Sequence, residues 1–409
     1  MTAGSRGDVA PYTGLGHGLA RAGHEVTLVT HARFEPLAAG AGLRFHPLPV
    51  DPRAELESAR GRGLHRSATG VGKLVRVVAM ARALAGRMTD DLVAAARTSD
   101  ALLLAASVGP LGHAVAEGLS LPSLGVHLQP LAPTREFPPP MLGVGSWGAL
   151  GNRVAGVGVS LAVEQVFAAA VPEVRHRLGL PRVRSAAALR SRERQGWPVC
   201  HGFSPLVVAR PRDWRPGLDV TGYWWPYDAD VQLPPRLREF LDAGPAPVFV
   251  GLGSATVPDP ERLGAEIVRA LRAAGLRGVV QRGWAGLTAT GDDMLTIDEV
   301  PHSALFPRMA AVVHHAGAGT TAAGLRAGVP AVPVPVQFDE GFWAARLVGL
   351  GVAPAALPLR RLTADALSSA LVRATRDAGY RERAEALGAR IRAEDGVTPV
   401  REAVNSLGG

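Results

Sequence analysis

Residues 310–344, AAVVHHAGAGTTAAGLRAGVPAVPVPVQFDEGFWA, constrain the fold more than any other part of the chain. An apolar run ends in two histidines. A Gly/Ala/Thr turn follows, and then a helical stretch that closes at Gly328 before Val329 and Pro330. Strand, small-residue turn and helix in this order are the repeating unit of a parallel sheet covered by helices. The first amides of such a helix lack intrahelical acceptors and sit at the positive end of its dipole, so the turn is a ready anion site. Gly317, Ala318 and Gly319 let a diphosphate approach the backbone, the Thr320 hydroxyl offers a further hydrogen bond, and His315 at the strand end can donate to a phosphate oxygen. No Gly-Lys-Ser/Thr follows, so the turn is not a P-loop. A structural connection with core histidines would share the same glycines.

The alternation extends through the chain. Strands are expected at 23–31, 43–49, 101–107 and 123–130, with helical spacing at 11–23 and 72–97. In the second half, strands at 245–255, 277–283, 310–317 and 330–336 alternate with helices at 259–275 and 320–328. Between the halves, 205–245 is rich in proline and tryptophan, the composition of a linker packed against domains. Residues 51–70 and 181–196, rich in arginine, glycine and serine, are expected as mobile surface loops. GLGHG (14–18) imitates a dinucleotide fingerprint but falls inside a helix, where that motif has no function.

The 409 residues suit two or three domains, and 47% hydrophobic with 20% charged residues excludes general disorder. No apolar run reaches the ~18–20 residues of a membrane span, and the N-terminus lacks the layout of a secretory signal. Cys200 is the single cysteine, which excludes an intramolecular disulfide and argues against a cysteine zinc site; a cytoplasmic protein is expected. The net charge of +8 is almost entirely arginine, spread along the chain, so no nucleic-acid partner is expected. Only Met1–Ala3 precede the turn GSRGD, where a first strand of about 5–6 residues belongs. Either translation starts upstream or this strand is unusually short.

In GSRGDVAP (4–11), Asp8 follows that strand. A carboxylate whose pKa is raised by burial can take the proton of an acceptor hydroxyl. It can equally cap the helix that follows.

These motifs resemble those of nucleotide-sugar glycosyltransferases with two Rossmann domains: plant natural-product glucosyltransferases, bacterial sterol-type glucosyltransferases and glycopeptide-antibiotic glycosyltransferases. HHAGAGTT nearly reproduces the bacterial HHGGAGTT, and GSRGDVAP is similar to GSRGDVxP, whose aspartate is the proposed base. The interdomain stretch 200–226, PVFVGLGSA (247–255), RGWAGL (282–287), EVPHSALFPRMAAVV (299–313) and IRAEDGV (391–397) extend the likeness over nearly the whole chain.

The resemblance implies an α/β fold of two Rossmann-like domains facing across a cleft, the GT-B glycosyltransferase fold, with a C-terminal helix returning to the first domain. Residues 1–204 would bind the acceptor, 205–245 would link, 246–385 would bind the nucleotide sugar, and 386–409 would cross back. It implies inverting transfer of a hexose or deoxyhexose from a UDP- or TDP-sugar to a hydrophobic acceptor, with Asp8 as base. Epimerisation of a nucleotide sugar and a silent helper role are the alternatives. Donor contacts would come from Ser5, Gly253, Ser254, Val300, His315, Gly317, Ala318, Gly319, Thr320, Asp339 and Glu340, with Glu340 standing where relatives have glutamine, a change that suggests an amino sugar. Phe137, Met141 and Trp147, in the Pro-rich loop 127–148, would either wall the acceptor site or pack within the loop, whereas Trp284 is expected to pack. No cofactor or metal is expected, and the chain would be a monomer or weak dimer.

Overall fold

The computed structural model describes residues 1–49, 85–143, 145–228 and 232–407. The first half forms β1 (Thr27–His31), β2 (Arg44–Leu48), β3 (Leu102–Leu104), β4 (Ser123–His127), β5 (Val199–His201) and β6 (Leu218–Val220). β1 pairs with β2, and β3 to β6 pair in sequence order, all in parallel. Met1–Ala3 join the two groups. Thr2 N–H donates to Val29 O (3.0 Å), the Met1 amine to Leu103 O (2.8 Å) and Ala105 N–H to Met1 O (3.0 Å). The short first segment therefore lies in the middle of the sheet, with β1 and β2 on one side and β3 to β6 on the other. At such a reversal of strand order, the loops on either side diverge and leave a crevice. Gly4–Asp8 leaves the sheet there.

The second half repeats the plan with β7 (Val248–Gly251), β8 (Gly278–Gln281), β9 (Met294–Ile297), β10 (Ala311–His314) and β11 (Ala331–Pro333), in the parallel order β11-β10-β7-β8-β9. Its reversal falls between β7 and β10, so Gly253 and His315 emerge at a second crevice. Both faces of this sheet are covered: Phe249 and Val312 pack into one apolar cluster, Val248, Val250 and Val313 into another. Double coverage is why these strands read as unbroken apolar runs.

The GLGHG segment does lie inside a helix, Ala10–Arg21, and its glycines are packing points. A Cβ on Gly14 would stand 1.7 Å from Trp225 O, one on Gly16 would stand 2.8 Å from Leu43 Cδ1, and one on Gly18 would stand 2.6 Å from Val397 Cγ1. One helix thus accepts the interdomain chain, the β2 approach and the C-terminal return.

That return is two helices. Ala378–Arg392 packs on Ala318–Ala327 of the second half, while Thr398–Leu407 lies on the first, with Val400 fully buried among Val9, Tyr12, Leu124 and Val126. The crossing is fixed by Trp224 Nε1–H to Gly396 O (2.9 Å) and Ser204 Oγ–H to Glu394 Oε1 (2.6 Å).

Three expectations change. The stretch 205–245 is more than a linker: β6 extends the first sheet, and helix Pro235–Asp242 buries Leu237 and Leu241 with the core around Phe249. Residues 181–196 hold a helix, Ser185–Arg194, whose Arg192 is buried against Glu164, so part of this basic segment is interior. β5, β6 and β9 were not anticipated, being three or four residues long. The loop expected at 51–70 and the start of the helix at 72–97 lie outside the described residues; 85–96 is helical. Among the described residues no single helix is long and apolar enough to cross a membrane.

Gly14→Ala should destabilise the chain by about 2–4 kcal/mol, because the obstructing atom is backbone and cannot rotate away. Gly18→Ala should cost less, since Val397 is a side chain. Thermal denaturation of the two variants checks the order.

Candidate active site

The loop after the central segment of the first sheet is built around Asp8. Residues Arg6–Asp8 form a 3₁₀ turn, and Asp8 Oδ2 accepts from Ser5 N–H (2.8 Å) and Ser5 Oγ–H (2.9 Å). Gly4 has φ of +142°, and a Cβ there would lie 2.5 Å from Asp8 Oδ2, so the carboxylate occupies space that only glycine leaves open. Neighbouring strand ends hold the loop: Gly4 N–H donates to His31 Nε2 (2.9 Å) and Ala3 N–H to Ser107 Oγ (3.0 Å). Asp8 is not the cap of helix Ala10–Arg21, whose N-cap is Val9. Among the described residues its donors all fall on Oδ2, which leaves Oδ1 able to accept a proton. Burial raises its pKa above the ordinary 3.8; the Ser5 bonds oppose this, and the charge of Asp339 adds to it.

In the second half, His315 lies between two glycines. A Cβ on Gly253 would approach its Cε1 to 2.7 Å and one on Gly317 its Nε2 to 2.4 Å. Burial lowers the His315 pKa to about 4, so at neutral pH the ring is an uncharged donor. The preceding His314 is fully buried and accepts from Ala316 N–H through Nδ1 (3.1 Å), which fixes the turn where Ala316 takes φ of +66°. Helix Ala318–Ala327 then begins from Gly317 without a side-chain cap, and a Cβ on Gly319 would meet nothing within 4 Å. The helix start is thus uncapped by any side chain and exposed at Gly319, as an anion site requires.

Asp339 Oδ2 accepts from Trp343 Nε1–H (2.8 Å), and burial raises its pKa. Glu340 departs from expectation. It is buried, and Oε2 accepts from Val336 N–H (2.6 Å) and Gln337 N–H (2.7 Å), closing its own loop at the start of helix Glu340–Gly349. A carboxylate suits that position because it takes two amides at a helix start. Its presence therefore has a local cause that says nothing of an amino sugar. Ser5 likewise gives its hydroxyl proton and amide to Asp8, where a donor contact was expected.

These groups meet across the seam. Helix Ala318–Ala327 packs against the Arg6–Asp8 turn, and Asp339 lies near enough to raise the Asp8 pKa. Arg6 faces Glu299 at 3.7 Å, and the Arg33 guanidinium lies 5.8 Å from the Trp284 ring centroid. Gly253, Ser254, His315 and Gly317–Thr320 leave adjacent strand ends, β7 and β10, as expected. Val300 is partly buried against the core of the second half.

On the acceptor side Phe137 follows the packing alternative. It is buried, its ring is 5.4 Å from that of Phe342 in the second half, and Arg346 lies against both rings. It ties the halves together and offers no open wall. Met141 and Trp147 remain exposed, at 39% and 57%. The supporting roles of His31, Ser107 and Trp343 were not anticipated; the first two stand at strand ends beside the crevice, which is the signal that could have found them.

Residues 1–138 match the family model described as glycosyltransferase family 28 N-terminal domain, and residues 262–407 that described as erythromycin biosynthesis protein CIII-like, C-terminal domain. The chain is 36% identical over 404 residues to an O-mycaminosyltylonolide 6-deoxyallosyltransferase of Streptomyces fradiae, covering 97% of this chain and 94% of that protein. It is 33% identical over 412 residues to a sterol 3-beta-glucosyltransferase of Arabidopsis thaliana, covering 97% of this chain and 63% of the plant protein, so it spans less than two thirds of that relative. Among solved structures it resembles the glycotransferase of kitacinnamycin (TM-score 0.69, 20% identity, 99% of this chain and 97% of that one). It also resembles the glycosyltransferase VinC in complex with DTDP (TM-score 0.66, 23% identity, 99% and 98%).

Two outcomes are expected from the site's geometry. The Asp8 carboxyl should titrate above 3.8, and Asp339→Asn should move its midpoint down by removing a like charge, as read by carboxyl NMR. Gly317→Ala should displace the His315 ring, seen as a lower melting temperature and altered imidazole resonances.

Proposed function

The chain belongs to the glycosyltransferases of the two-lobed GT-B fold, and on that premise we propose that it moves a hexose or deoxyhexose from a UDP- or TDP-sugar to a hydroxyl of a small hydrophobic acceptor, with inversion at the anomeric carbon. The observation that carries the reading is the contact between the open start of helix Ala318–Ala327 and the turn that bears Asp8. One side is suited to a diphosphate and the other to a departing proton, and the chemistry needs both at once.

Asp8 accepts the proton of the acceptor hydroxyl as its oxygen bonds to the anomeric carbon. The bond from that carbon to the diphosphate oxygen breaks on the opposite face, and the nucleotide diphosphate leaves with the electron pair. Charge gathering on the leaving group meets the first amides of the helix, the Thr320 hydroxyl and the neutral His315 ring, all set before the reaction begins. Asp339, held by Trp343, is assigned to sugar hydroxyls. Its second effect is on the base, because a raised Asp8 pKa makes a stronger proton acceptor. The relatives' names point to a sterol or a macrolide lactone as the acceptor class.

Incubation with UDP- and TDP-sugars, a sterol and a macrolactone should release nucleotide diphosphate only when an acceptor is present. Release without acceptor would favour epimerase-type chemistry; none under any pairing would count against transfer. Asp8→Asn should lower turnover by roughly 10²–10⁴ while nucleotide affinity is retained. As Asp8 must be unprotonated to act, activity should fall with acid through a midpoint above 3.8.

A further inference from the structure

We propose that Phe338 is a specificity-determining residue whose ring ranks hydrophobic acceptors at the mouth of the cleft; the inference rests on the transfer reading above. Phe338 has φ of +51°, in the left-handed region where a bulky side chain is strained and glycine is not. Its side chain gains little in exchange, for it is 41% exposed and joins none of the described apolar clusters. Folding stability alone would favour glycine at this position.

Its surroundings say what the ring is for. The next residue is Asp339, which Trp343 holds at 2.8 Å and which the reading above assigns to sugar hydroxyls, so Phe338 adjoins the proposed donor site. On the other side, a Cβ on Gly143 would lie 3.5 Å from Phe338 O, which sets the residue against the turn Pro140–Leu142 of the first half. Met141 and Leu142 in that turn are 39% and 40% exposed. Three exposed large apolar residues, drawn from both halves, therefore flank the point where the Phe338 backbone meets Gly143. Their hydration is relieved when an apolar body covers them. A nucleotide is the wrong occupant, because the anion-binding amides are on helix Ala318–Ala327; a flat or macrocyclic apolar compound presenting a hydroxyl to Asp8 is the right one.

The test uses the full chain with Phe338→Gly, Phe338→Ala and Phe338→Leu, ergosterol and a macrolactone as acceptors, and UDP and TDP as nucleotide probes. Phe338→Gly should raise the melting temperature by about 1–3 °C through relief of strain. It should also raise the KM of the preferred acceptor about tenfold with kcat little changed, the pattern of lost ground-state contact. Phe338→Ala should show the KM rise without the thermal gain, and Phe338→Leu should recover most of the affinity. Nucleotide affinity should stay constant throughout. An unchanged acceptor KM in Phe338→Gly, with the wild type turning over, overturns the proposal and leaves transfer standing. A parallel loss of nucleotide affinity also overturns it, since the residue would then shape the loop and not the acceptor wall. Failure of the wild type to bind UDP or TDP would sink the transfer reading instead. Titration with the fluorescent sterol dehydroergosterol would then decide the Phe338 inference by itself, equal affinity in wild type and Phe338→Gly overturning it.

Discussion

Parallel pairing in both sheets is the constraint on which the site depends. Parallel neighbours need a crossover between them, so every strand delivers its C-terminal end to one edge and the helices start there. That edge collects the amides and glycine turns of the fold, and the reversal of strand order opens it at one place. In this chain it opens after Met1–Ala3 in the first sheet and between β7 and β10 in the second. The carboxylate of Asp8 and the bare start of helix Ala318–Ala327 are what those two openings hold, and the halves pack with the openings in contact.

Electrostatics at the contact follows from burial more than from ion pairing. Burial is the largest influence on Asp8, Asp339, His314 and His315, raising the acids and lowering the imidazoles. Both kinds of group are thereby pushed toward neutrality. In the proposed reading, a neutral His315 beside helix amides would attract an anion through oriented dipoles, which need no counter-charge. The charge of Asp339 acts in the same direction on Asp8, further disfavouring its ionised form.

The sequence carries the central elements because their burial on both faces demands long apolar runs, and the small-residue turn before helix Ala318–Ala327 because its glycines and helix start are local features. It carries less where packing between distant segments sets the outcome. Nothing local to Glu340 shows that its carboxylate turns back to Val336 and Gln337, and the aromatic character of Phe137 reads alike whether it faces a ligand or Phe342. The basic segment around Arg192 looked solvated because its partner, Glu164, is 28 residues away in sequence. Likewise GLGHG could be dismissed as a nucleotide motif from its helical setting, but the three elements its glycines admit are visible only in three dimensions.

The seam between the halves is not uniformly firm, and the gradient suits a cleft. Near the C-terminal crossing, Trp224 and Tyr12 are buried with their rings 5.8 Å apart, and Trp224 also hydrogen-bonds Gly396 O. Buried aromatic pairs of this kind contribute roughly 0.5–1.5 kcal/mol beyond their burial. At the rim, the Arg6 and Glu299 side chains are 42% and 61% exposed, and exposed ion pairs contribute about 0–1 kcal/mol and weaken with salt. The crossing fixes the C-terminal return on the first half and the buried Phe137–Phe342 pair ties the halves directly, while the exposed Arg6–Glu299 pair at the rim adds little.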